Sequence, residues 1–80
     1  MAIARSRREV ADIIENFLNG RSGERDWDDF ISVPIRDEEL NQIRLRCAAL
    51  PEEFPAYRSD EYCSNAGREV LKNYATELRR

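Results

Sequence analysis

Eighty residues, 41% hydrophobic and 36% charged, bound a single small surface-rich helical domain, residues 1–80, whose core leaves roughly 3 to 5 kcal/mol of net stability unless self-association or a staple adds to it. The chain holds no histidine, which excludes every Ser-His or Cys-His nucleophile and removes the commonest metal ligand. Its net charge of −3 gives little support to nucleic-acid binding, and it has no apolar leader or run of 18 apolar residues, so no membrane partner and a cytoplasmic location are expected.

The first element is announced by Ser6 and Glu9, an S-x-x-E capping box, followed by Val10, Ile13, Ile14, Phe17 and Leu18 at helical spacing. A helix is predicted from Arg7 to Leu18 or Asn19, ended by Gly20 in the left-handed conformation that glycine adopts cheaply. Arg5, Arg7 and Arg8 stand at the positive end of its dipole, and an Arg8 to Asp12 pair is expected to relieve part of that cost. Such a cluster can also hold a phosphate, but no glycine-rich loop precedes it, so a solvated face is the preferred reading.

A polar connection, Arg21 to Arg25, leads to Asp26-Trp27-Asp28-Asp29-Phe30-Ile31. Trp27, Phe30 and Ile31 follow i, i+3, i+4 spacing, so one helical turn sends them inward while Asp26, Asp28 and Asp29 face water. Asp26 is the expected N-cap, and Val33-Pro34 the expected end. Asp37 then reads as the N-cap of a third helix, with Glu38 and Glu39 in its first turn and Leu40, Ile43, Cys47 and Leu50 as its apolar stripe. Pro51 is expected to stop that helix or to open one further turn.

From Pro55 to Cys63 the chain reads as irregular, pinned by Phe54, Tyr57 and Tyr62. Ser64 is the expected N-cap of a last helix running to about Leu78, with Arg79 and Arg80 suited to its C-terminal dipole. The fold predicted is all-α: a small bundle of three main helices plus a short helical turn around Trp27. Its predicted core is Ile13, Ile14, Phe17, Trp27, Phe30, Leu40, Ile43, Val70, Leu71 and Tyr74.

Residues 24 to 39 carry seven acids against two arginines, a local charge of −5, whereas each flank sums to +1. This field repels nucleic acid and steers a basic protein toward the segment, so Asp26, Asp28, Asp29, Asp37 and Glu38 are the candidate partner-binding residues. The simpler reading is a solvated acidic face. The D-x-D spacing of Asp26 and Asp28 invites a hard cation, but the glycine and distal glutamate of a calcium loop are missing. Neither a metal nor a cofactor is expected.

Cys47 reads as a small buried hydrophobe. Cys63, at a helix start where the dipole lowers a thiol's pKa, is the better redox candidate. Both are expected to be reduced thiols.

Asp26-Trp27-Asp28-Asp29-Phe30, Leu40-x-x-Ile43-Arg44-x-x-Cys47, Tyr62-Cys63 and Leu78-Arg79 together resemble a group of short bacterial hypothetical proteins, over nearly the whole chain. The resemblance implies a bacterial, cytoplasmic, single-domain protein and carries over no catalytic or binding residue. The function expected is that of a small non-catalytic interaction or regulatory module with an acidic face. The alternatives are an immunity or inhibitor-type protein for a basic partner and a thiol redox protein using Cys63.

Overall fold

The computed structural model describes residues 1–23 and 25–80, which form four helices: α1 (Arg7–Leu18), α2 (Asp26–Ser32), α3 (Glu38–Glu53) and α4 (Asn65–Leu78). The three long helices and the Trp27 turn are those the spacing predicts, with the turn extended to a seven-residue helix. No described helix is long and apolar enough to cross a membrane.

α1 begins with the reciprocal box: the Glu9 amide donates to Ser6 Oγ at 3.0 Å and the Ser6 amide to Glu9 Oε1 at 3.3 Å. It ends on Gly20 at φ 70°. There the Gly20 amide donates to the Phe17 carbonyl and the Arg21 amide to that of Asn16, so carbonyls left over by the helix are taken up. The expected Arg8 to Asp12 pair is not among the salt bridges of the described residues. Asp12 and Glu15 accept from Arg79 across the seam to α4, while Arg5 pairs with Glu9.

In α2 the N-cap position falls to Arg25, and Asp26 is the first helical residue rather than the cap. Its Oδ2 accepts from the Gly23 amide at 2.8 Å, and its own amide donates to the Gly23 carbonyl. The carboxylate therefore closes the preceding turn instead of capping α2. Trp27 and Phe30 are buried, Ile31 is half-buried, and Asp28 and Asp29 are exposed, as the spacing requires.

Asp37 caps α3 by accepting from the Leu40 amide at 2.9 Å. Pro51 does not stop this helix, which runs on to Glu53. Proline has no N–H for the carbonyl four residues back, so Cys47 O would be left without its helical donor. The Tyr62 hydroxyl supplies one, donating to Cys47 O at 2.8 Å. Pro55 is the effective terminator, holding Phe54 at φ −131°, ψ 73°, outside the helical region.

Ser64 is the N-cap of α4 by position, but its hydroxyl makes no capping bond. Its amide donates to the Phe54 carbonyl, tying the loop's two ends together. Gly67 allows that closure: a Cβ there would lie 2.7 Å from Cys63 Sγ and 3.1 Å from Phe54 Cβ. Of the three aromatic residues expected to pin the loop, Tyr57 does not, being 90% exposed.

α1 packs chiefly on α4 and α2 chiefly on α3. Where α1 meets α2, the Phe17 and Trp27 rings stack at 4.0 Å, and Tyr62 sets its edge against both. Arg44, only 7% exposed, joins α2 to α3: Nη1 donates to the Ile31 carbonyl at 2.7 Å and Nε to Asn41 Oδ1 at 2.9 Å. The same Asn41 oxygen accepts from the Ile35 amide, which holds the α2–α3 connection against α3. Ile3 forms an isolated parallel bridge with Ile35, which draws the segment before α1 onto that connection.

Ile14, Trp27, Phe30, Leu40 and Leu71 of the predicted core are buried. Ile13, Phe17, Ile43, Val70 and Tyr74 pack at its margin. Val10, Ala11, Ile35, Leu50, Ala75, Leu78 and both cysteines complete it.

Candidate functional site

The acidic segment divides by task. Asp26 is engaged with the Gly23 amide and Asp37 with the Leu40 amide, so these two carboxylates close local structure. Glu39, predicted only as a first-turn acid, pairs with Arg7 of α1 and is neutralised by it. Asp28, Asp29 and Glu38 are exposed and take part in no salt bridge among the described residues. Glu24, which opens the acidic stretch, lies outside those residues.

α2 presents its acids in two directions. Asp26 and Asp29 are three residues apart and share one wall of a shallow cleft of about 220 Å³ at the α1–α2 junction, with Arg5, Ile13, Asn16 and Ser22 opposite. Asp28 does not line that cleft, nor do Asp37 and Glu38, which belong to the start of α3. The five candidate residues thus form no single constellation. The acids in the first turn of α2 also oppose its dipole, a purely structural benefit of roughly 0.3 to 1 kcal/mol each.

What steadies this surface is beneath it. Trp27 is stacked on Phe17 and lies 5.3 Å from the Phe30 ring, so the backbone carrying Asp28 and Asp29 is anchored on both sides. Arg44 fixes the far end of α2 through Ile31 O, where a cation suits the helix dipole and an orphan carbonyl needs a donor. Nothing in the sequence marks this role, because an arginine inside an apolar stripe reads as a surface residue until its partner on another helix is known.

No group of three or more Cys, Asp or Glu side chains among the described residues is placed to hold a metal ion. Cys47 and Cys63 are free thiols, both in the core. Burial pushes Cys47 up to about 12, with Arg46 acting weakly the other way. Burial also raises Cys63, outweighing the opposite pull of Arg68. The direction is thus opposite to the lowering expected at the start of α4, because desolvation of a residue only 2% exposed is the largest influence on the thiol.

A second, larger cleft was not foreseen in the sequence. It measures about 390 Å³ and lies between α3 and α4, with Ile43, Tyr74 and Leu78 as its apolar surface and Arg7, Glu39 and Glu77 at its polar margin. Ile43 and Tyr74 each read as ordinary stripe positions on their own helices, and no spacing rule reveals that the two helices part between them. No family model, curated protein or solved structure matches this chain.

Proposed function

We propose that the chain is a small non-catalytic interaction module that presents the α2 carboxylates to a basic protein partner. One observation carries this reading: Asp28 and Asp29 are exposed and outside any described salt bridge, on a helix whose inner face is locked by Trp27 and Phe30. A preorganised pair of carboxylates loses little on binding and steers a cationic surface by its field. Glu38, exposed at the start of α3, adds to the field from outside that helix, while Asp26 and Asp37 contribute from fixed local roles. An immunity-type or inhibitory protein for a basic target is the narrower form of the same reading. Neither catalysis nor a cofactor is part of it.

The test is affinity capture from the native host with the parent, an Asp28→Asn, Asp29→Asn variant and an Asp28→Lys, Asp29→Lys variant. The parent is expected to retain a basic protein at low salt, the Asn variant to weaken it and the Lys variant to lose it. All three should denature within about 1 kcal/mol of each other beyond the helix-dipole cost, since exposed sites perturb folding little. A partner held equally by all three would sink the reading.

A further inference from the structure

The α3–α4 cleft continues beyond its apolar surface. Arg7 and Leu78 line it, and the same two residues line a second hollow of about 390 Å³ whose other walls are Arg8, Arg79 and Arg80. The two hollows adjoin at Arg7 and Leu78 and make a trough that is apolar at Ile43, Tyr74 and Leu78 and cationic where the start of α1 meets the end of α4. Every side chain that lines the arginine end among the described residues is cationic or apolar, although the chain as a whole is acidic.

The arginines are not equivalent. Arg79 is committed to Asp12 and Glu15, and Arg7 to Glu39 with a longer bond to the Glu77 carbonyl. Arg8 and Arg80 have no salt-bridge partner among the described residues. They are the two cations available to a ligand, and they flank the point where the apolar surface ends at Leu78. Guanidinium groups bind carboxylate and phosphate oxygens in a fixed fork. The volume lies in the range of small-molecule sites.

We propose that this trough binds an organic anion with an apolar tail, the tail against Ile43, Tyr74 and Leu78 and the acid group between Arg8 and Arg80. Glu77, which lines the apolar cleft and takes part in no salt bridge among the described residues, fixes the orientation by repelling the acid group from that cleft and leaving it to the tail. A medium-chain carboxylate is the simplest member of this class. The site uses none of the α2 carboxylates and stands apart from the protein-binding role proposed above.

The experiment is amide and methyl NMR titration of the full chain with octanoate, acetate and octylammonium. Octanoate is expected to give saturable shifts at Ile43, Tyr74 and Leu78, with acetate about tenfold weaker or more for lack of the tail. Octylammonium should give none there. An Arg8→Gln, Arg80→Gln variant alters two exposed side chains outside the described salt bridges, so it should keep the parent spectrum and lose about tenfold in octanoate affinity. Preferential binding of octylammonium, unchanged affinity in the variant, or no shifts at those residues would each overturn the proposal.

Discussion

Arg44 and Arg79 each join one helix to another, Arg44 between α2 and α3 within the core, Arg79 between α4 and α1 at the surface. Arg44, itself only 7% exposed, satisfies the part-buried Ile31 carbonyl and shares Asn41 with the backbone of the α2–α3 connection. Arg79 makes the more conspicuous ion pairs, bonding two carboxylates at once, yet its side chain is 37% exposed. The worth of a bond depends on what replaces it when it is lost. Around Arg79 water takes over, whereas around Arg44 nothing does.

A joint with no polar part at all sets the upper end of the scale. Phe30 is fully buried against Trp27, so Phe30→Ala should cost about 3 to 5 kcal/mol, comparable with the whole stability of so small a core. Circular dichroism should show the variant largely unfolded without denaturant. Arg44→Met keeps most of the volume but strands Ile31 O and an Asn41 lone pair, and about 2 to 3 kcal/mol should be lost in urea denaturation. A loss no larger than that of Arg79→Gln would break the distinction between the two joints.

Tyr62→Phe comes next, removing the donor to Cys47 O at a cost of about 1 to 2 kcal/mol. The mechanism is checked by a double-mutant cycle. Pro51→Ala restores a backbone N–H for the same carbonyl, so the Tyr62→Phe penalty should shrink by about 1 kcal/mol in that background. Additive costs would show that the hydroxyl and the proline are unrelated.

Arg79→Gln should have the smallest effect. Hydrogen bonding to Arg79 holds the Glu15 carboxyl below its ordinary value, so the folded state binds fewer protons there than the unfolded chain. The contribution is fully present above the ordinary glutamate value and is lost as pH falls through the lowered folded value. Melting temperatures of parent and variant should therefore converge on acidification, and also in high salt.

The two joints differ equally in how far the sequence disclosed them. Local chemistry was legible: the Ser6–Glu9 box, Gly20 as terminator, Asp37 as cap and the inward turn of Trp27 and Phe30 all follow from neighbours within four residues. What failed depended on partners far along the chain. Pro51 looks like a stop until Tyr62 is beside it, Asp12 pairs 67 residues away rather than four, and Tyr57 and Tyr62 cannot be told apart by type. The candidate site shows the same limit. Exposure of Asp28 and Asp29 came from helical period alone, but the local engagement of Asp26 and Asp37 and the capture of Glu39 by Arg7 required the fold.

Trp27 is the chain's one tryptophan, and it lies where α1, α2 and the loop before α4 converge. Its indole emission is thus a built-in gauge of the junction, sensitive to Phe17 sliding from its face or Tyr62 leaving its edge. Residue-level loosening and partner docking on α2 become readable by fluorescence at micromolar protein, with no label attached and no second indole to confuse the signal.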